Sequence, residues 1–519
     1  MSLLKNFATV GMGTATSRVL GFVRDMFIAA ALGTGPVAEA FFVAQRLPNL
    51  FRRLFAEGAF ASAFVPLFTK THEGDGAEAG RLFAEESLAA LAAMLLAVTV
   101  VSEVAMAWLT FALAPGFAAD PQKFDLTVLL SRIAFPYLFF ISLATLLSGA
   151  LNGLNRFAAA AFSSSLLNVV LIGALIYVYW TGEFGTRHAG VLLTFAITAG
   201  GVVQLAFLFV ACWRAGISLR LRLPRWTPGV KRLTFLAGPS VIAGGIVQIN
   251  IVVGTIVASL QAGAVSWLYY ADRLYQLPLG IVGIAVGIVL LPDLARALRA
   301  GRAADASHAQ NRSMEFAAAL TLPASVALFV IPGAIIHVLF ERGAFTAADT
   351  AATAPALAAY AVGLPAFVAI KVLQPAYFAR EDTSAPMWYG GISMIVNVAA
   401  AFGLFFLFGH VGIAAATTIA AWVNAVLLLW TLVRRGHFIV DATLKRRMPL
   451  LLAGSVLMGA VLYAADLALA GWLASPHLSV QAAGLAILVF IGLLVFALFV
   501  HFTGAADFKR ILKAVVKRG

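Results

Sequence analysis

The stretch "FPYLFFISLATLLSGALNGLNRFAAAAFSSSLLNVV" (135–170) carries a single charge, Arg156, and reads as two apolar helices joined at "NGLNR". It recurs loosely as "LPAFVAIKVLQPAYFAREDTSAPMWYGGISMIVNVA" (364–399), with Pro136 matching Pro365 and Asn168 matching Asn397 at one offset of 229. A second pair agrees: "AQRLPNLF…FVPLF" matches "ADRLYQLP…LLPDL", aligning Arg46 with Arg273 and, with one gap, Pro66 with Pro292. Several matches at nearly one offset point to a duplicated apolar block.

The rest of the chain has the same character. Of its 519 residues, 62% are hydrophobic and 11% charged, against roughly 25% charged in soluble proteins. Apolar runs long enough to cross a hydrocarbon core about 30 Å thick begin near residues 7, 37, 83, 127, 158, 188, 233, 264, 314, 350, 386, 410, 448 and 480. They lack period-two alternation, so helices fit and a β-barrel does not. The predicted fold is an all-α integral membrane protein with fourteen transmembrane helices. Helices one to six correspond to seven to twelve. An even number of crossings per copy makes the copies parallel repeats about an axis along the membrane normal. That implies two pseudo-symmetric six-helix lobes around a central cavity, with two C-terminal helices outside the repeat. The expected boundaries are 1–225 for the first lobe, 226–440 for the second, and 441–519 for the last two helices and a basic tail.

Net charge is +13, and its placement carries the information. The basic residues gather in alternate connections: 214–232 (Arg214, Arg220, Arg222, Arg225, Lys231, Arg232), 293–312, 434–447 and the tail 507–519. The other connections contribute Lys123, Arg187 and Arg342. By the positive-inside rule the basic set is cytoplasmic, and an even helix count puts both termini inside. The segment 214–232, with "RLRLPRWTP", is expected to lie on the surface as an amphipathic stretch against anionic headgroups. Basic charge beside membrane spans favours membrane lipids over nucleic acid as the partner. "MSLLKNFATVGMG" has no cleavage pattern and reads as the start of the first helix. The single cysteine, Cys212, the scattered histidines and the lack of a phosphate-loop motif predict no disulfide, no metal site and no cofactor.

Charge also enters the apolar runs. The first two helices hold Arg18, Arg24, Asp25, Glu39, Arg46, Arg52, Arg53 and Glu57. On an ideal helix Arg46, Asn49, Arg53 and Glu57 share an arc of roughly 80°. Arg18 and Asp25 share a face of the first helix, whereas Arg24 and Arg52 point elsewhere unless Gly21 and Pro48 bend the helices. Arg52 and Arg53 lie about 22 Å from the outer helix end, too deep to snorkel easily. A central charge costs roughly 2.5–3.5 kcal/mol on insertion scales, so these groups line water or pair with one another. Arg53 with Glu57 and Arg18 with Asp25 are the candidate ion pairs. A surplus of arginine remains, and guanidinium forks suit phosphate or carboxylate. Arg273, beside Asp272, adds a cation from the second half, as a ligand contact or a structural pair. Lys371 and Glu103 are further charges inside helices, with either a transport or a structural reading. Glu341 and Arg342 in "LFERGAFT" read as a solvated helix end, and "FARED" as a turn.

A one-sided cationic cavity suits an amphiphilic anion with its charged head inside and its apolar part in lipid. The excess of arginine disfavours export of cationic drugs. A lipid-linked glycosyltransferase or polymerase would need a catalytic carboxylate or metal site, and the outer connections offer only isolated acids (Asp120, Asp125, Glu183). A transporter rather than an enzyme is expected.

"SRVLGFVRD" (17–25), "AFFVAQRLPNLFRRLFAEGAFASAFVPLF" (40–68), "YYADRL" (269–274) and "LFERGAFT" (339–346) resemble the MurJ/MviN-type lipid II flippases of the multidrug/oligosaccharidyl-lipid/polysaccharide exporter superfamily. The resemblance covers the whole chain. It implies alternating-access transfer of lipid II, the undecaprenyl-pyrophosphate-linked peptidoglycan precursor, from the cytoplasmic to the outer leaflet of a bacterial inner membrane. Export of another anionic lipid-linked oligosaccharide, or of drugs, by the same fold is the alternative. By the same resemblance, Arg18, Arg24, Arg52 and Arg273 hold the pyrophosphate head, and Arg53 and Asn49 join them from their helix face. Asp25, Glu39 and Glu57 serve as gating or ion-pair partners; the family often has Asp at the position of Glu39. Helix seven, 233–260, contains no acid, which argues against a carboxylate sodium site there. The implied partners are lipid II, membrane lipids and the cell-wall synthesis machinery, with the protein a monomer.

Overall fold

The computed structural model describes residues 3–54, 60–220 and 222–505, and among them every regular element is a helix. In lipid each backbone N–H and C=O must be satisfied within its own segment, which leaves apolar runs of this length little alternative. By packing, the chain divides into two compact units: residues 1–266 with Arg342–Phe345, and residues 267–341 with 346–519.

The first unit holds α1 (Leu3–Leu32), α2 (Pro36–Arg52), α3 (Ala61–Gly74), α4 (Ala77–Val104), α5 (Met106–Leu113), a 3-10 turn (Pro115–Ala119), α6 (Pro121–Ala134), α7 (Tyr137–Gly153), α8 (Phe157–Thr181), α9 (Arg187–Arg214) and α10 (Pro228–Ser259). It also holds the first turn of α11 (Ala264–Arg299). Here α1 lies along α8, α2 along α6, and α7 and α8 along α9. The interior is aromatic. Phe41, Phe42, Phe64, Phe68 and Phe135 are all but fully buried, and the Phe64 ring stacks on Phe68 at 5.6 Å and on Phe83 at 5.7 Å.

The second unit holds the remainder of α11, then α12 (Ala303–Val330), α13 (Pro332–Phe340), α14 (Ala347–Phe378), α15 (Ser384–Phe408), α16 (His410–Arg434), α17 (Ala442–Ala468), α18 (Ala470–Leu473) and α19 (Leu478–Thr503). Here α14 packs on α12 and α16. The last long helices, α17 and α19, close over α12 and α13 through a core that includes Leu451, Met458, Leu462, Leu488 and Phe496.

Each of the fourteen apolar runs begins within a helix. Among the described residues ten spans, counting α6 and α7 as one, are long and apolar enough to cross a membrane. Element lengths repeat between the halves. α4 and α12 each have 28 residues and are followed by short helices of 8 and 9. α8 and α15 each have 25. The matched prolines behave differently. At Phe135–Pro136 the missing N–H parts α6 from α7, whereas α14 runs through Pro355, Pro365 and Pro375 unbroken. Large apolar side chains face outward, with Trp180 82% and Phe406 79% exposed. In a soluble protein such exposure would be a liability; facing lipid it costs nothing.

Two connections are fixed more firmly than their sequence suggests. Glu85 of α4, fully buried, accepts from Arg81 Nη1 at 3.1 Å, Arg222 Nε at 2.5 Å and the Arg220 backbone N–H at 2.9 Å. Thr227 donates to Glu86 at 2.8 Å. The expected surface-lying segment is therefore a strap without regular structure at 217–220 and 222–227, pinned to α4 by a buried carboxylate. Its apolar Ile217 and Leu219 are buried, whereas Leu223 and Trp226 are exposed. In the first unit, too, Ala344 N–H donates to Ala30 O at 2.8 Å.

Candidate functional site

Two helices carry most of the predicted charged residues in the first unit. On α1, Asp25 is buried and Arg24 half-buried. Arg24 donates Nη2 and Nε to Asp25 Oδ1 at 2.7 and 3.0 Å, and Nη1 to Asn168 Oδ1 of α8 at 2.8 Å. Asn168 in turn donates to Ser17 O at 3.0 Å. The guanidinium is thus gripped from its own helix and from a neighbour, and its direction is set.

Arg18, one face away, is exposed, and among the described residues no ion pair reaches it. The expected Arg18–Asp25 pairing is therefore corrected. Asp25 takes the adjacent Arg24.

On α2, Arg46 donates to Thr255 Oγ1 of α10, and Asn49 Nδ2 donates to Gln45 O at 2.8 Å. Arg52 Nε reaches Asn49 Oδ1 at 3.3 Å, the contact open to side chains three apart on one helix. Arg53 is exposed at the end of the helix. Glu57, its predicted partner, lies outside the described residues.

Glu39, at the other end of α2, is buried and pairs with Lys123 of α6. From the sequence alone Lys123 falls in one of the less basic connections. The correction has a physical reason: Asp120 caps α6 and accepts from the Lys123 N–H at 3.2 Å. That starts the helix early enough to turn the lysine inward.

In the second unit, α11 carries Asp272 and Arg273, both partly buried. Arg273 lies over the Tyr269 ring at 4.6 Å, and Asp272 accepts from Gln276. Tyr275, two residues on, stacks between Tyr360 at 5.0 Å and Phe367 at 5.6 Å of α14, which fixes this stretch of α11. Lys371 stands exposed on α14. Among the described residues no group of histidine, cysteine and carboxylate side chains could hold a metal ion.

Arg18 and Arg24 lie on one helix, and Asn49 and Arg52 touch on a second. Each unit thus presents fork-shaped cations held by hydrogen bonds or an aromatic face, a chemistry suited to a phosphate or carboxylate head. Asn168, which aims Arg24, was visible in the sequence only as half of a repeat match. Lys123 gave no signal, since its partner lies 84 residues away.

The fold resembles that of solved multidrug resistance transporters. It superposes with a TM-score of 0.66 and 16% identity on an inward-facing multidrug resistance MATE family transporter, covering 81% of this chain and 94% of that one. A TM-score of 0.79, at 24% identity and 97% and 99% coverage, relates it to a lipid II flippase MurJ in an inward closed conformation. The family model described as lipid II flippase MurJ matches residues 28–483. Two relatives described as probable lipid II flippase MurJ are similar over most of their length. The protein of Rhizobium tropici is 51% identical, with 89% of this chain and 87% of that one covered. The protein of Rhizobium meliloti (strain 1021) is 50% identical, with 100% and 97% covered. The chain belongs to the lipid II flippase MurJ family.

Proposed function

We propose that this protein moves lipid II from the cytoplasmic to the outer leaflet of a bacterial inner membrane, supplying peptidoglycan synthesis. The observation that carries this is half identity along the whole chain to proteins described as lipid II flippases. Arg18, Arg24, Arg52 and Arg273, with Arg53 and Asn49, hold the pyrophosphate head. Asp25, Glu39 and Glu57 balance charge as the protein alternates between inward and outward access.

The supporting chemistry is the cation set: an exposed Arg18, an Arg24 aimed by Asp25 and Asn168, and an Arg273 over an aromatic face. Closing on empty arginines is opposed by like-charge repulsion, and a pyrophosphate relieves it. In this reading fourteen crossings form two related six-helix sets, 1–225 and 226–440. The pair in 441–519 extends the lipid-facing surface for the isoprenoid tail, both termini are cytoplasmic, and the protein works as a monomer beside the cell-wall synthesis machinery.

The test uses cells in which this protein is the sole flippase and can be inactivated. An externally added lipid II–cleaving toxin should lose its substrate on inactivation while lipid II accumulates inside. Undiminished cleavage would refute the reading.

A further inference from the structure

Lys123 and Glu39 form a buried ion pair that no substrate contact explains. Lys123 is 7% exposed and Glu39 1%. Charges so far from water survive only when closely paired and hydrogen-bonded. Each atom here has a distinct job. Lys123 Nζ meets Glu39 Oε2 and lies 3.7 Å from the centroid of the Phe117 ring, so one cation satisfies both a carboxylate and an aromatic face. The other carboxylate oxygen, Oε1, accepts from the Val265 backbone N–H at 3.3 Å. Val265 belongs to the first turn of α11, a helix N-terminus whose exposed N–H groups favour negative charge.

We propose that Lys123 is a positioning residue for transport: it holds the Glu39 carboxylate aimed at the first turn of α11, tying α2 and α6 to that turn. Glu39 is thirteen positions before Arg52, about 20 Å along the helix, so the pair touches no arginine of the proposed headgroup site. Its effect is on the helices that carry those groups. α2 bears Asn49 and Arg52, and α11 bears Arg273. Removing the lysine leaves a buried carboxylate without its counter-ion. The group must then take up a proton or turn away, and either change loosens its hold on Val265.

This inference rests on lipid II transport but not on the arginine assignment, since none of its variants alters an arginine. Full-length Lys123→Met, Lys123→Arg and Glu39→Gln/Lys123→Met are each made the sole flippase. Transport, read by toxin access to lipid II, is divided by the amount of folded protein, and thermal melting is followed in parallel. Lys123→Met should lower transport per folded molecule on the order of tenfold to a hundredfold, the scale of a displaced positioning group. Lys123→Arg should keep most of it. The double variant, with no buried charge left unpaired, should recover melting temperature without recovering transport. Wild-type transport by Lys123→Met, or by the double variant once its melting recovers, would overturn the proposal by reducing the pair to a structural contact. If the wild-type protein itself failed to restore toxin access, the transport reading would fall instead.

Discussion

Arg24 and Asn168 meet end to end, Nη1 of the arginine donating to Oδ1 of the asparagine at 2.8 Å and joining α1 to α8. The amide's other end donates to Ser17 O at 3.0 Å, so its orientation is settled by both partners. Asn168→Ala should cost about 1–3 kcal/mol, the penalty for leaving a partly buried charged donor unsatisfied, and should reduce transport. Asn168→Asp keeps an acceptor for Arg24 but loses the donor to Ser17, so it should retain more transport than the alanine variant. Thermal melting and toxin access to lipid II, measured together, check both. Equal transport by all three proteins would show that Arg24 needs no second anchor.

Arg18 and Asp25 should separate function from stability. Arg18 is exposed, so Arg18→Ala should leave stability within about 0.5 kcal/mol while abolishing most transport. Asp25 is buried against Arg24, and Asp25→Ala should lower the melting temperature clearly. Full transport by Arg18→Ala at normal protein levels would remove it from the headgroup site.

Gly343 has φ +57°, and a Cβ there would lie 2.3 Å from Ala30 O. Both the left-handed backbone and the close approach forbid a side chain. Gly343→Ala should destabilise the protein by about 1–3 kcal/mol. Gly35→Ala, where nothing lies within 4 Å of the added carbon, is the matched control and should be close to neutral. A Gly343→Ala melting curve that overlays wild type would refute the close approach.

Asp382, between α14 and α15, accepts from the Ala385 N–H at 3.1 Å and from Arg435 Nη1 at 2.7 Å. The Ala385 backbone N–H first, and then the Arg435 guanidinium, hold its carboxyl below the ordinary value of 3.8. The folded protein therefore binds this proton less readily than the unfolded chain. Its stabilisation is complete above that ordinary value and is lost as pH falls through the lowered folded value. The pair is partly exposed, so the effect is small. The melting difference between wild type and Asp382→Asn should be positive at neutral pH and shrink in acid. A difference constant from neutral pH to about pH 3 would contradict this assignment.

Much of the architecture was legible because its cause is local. Apolar runs become helices since lipid offers the backbone no other partner. The match of 135–170 to 364–399 reappears as α8 and α15 of equal length. The charged positions of α1 and α2 were legible for the same reason, as expensive groups in apolar company. Their partners were not. Asp25 was paired in sequence with Arg18, seven residues away, and in the fold with Arg24. Lys123 falls by sequence in a connection and is buried in the fold. Glu85 gives no sign in the sequence of the strap it holds to α4.

The sequence alone determined that the chain is helical and built for lipid, that its first half is echoed in its second, and that arginine exceeds acid at bilayer depth. Hydropathy and helix period act over a few turns, and the chain order records them directly. The tertiary structure decided which oxygen each cation meets. Lys123 reaches Glu39 across 84 positions, Arg24 reaches Asn168 across 144, and Arg222 reaches Glu85 across 137. An ion pair exists only when two side chains arrive within a few ångströms, and that is fixed by how the helices pack.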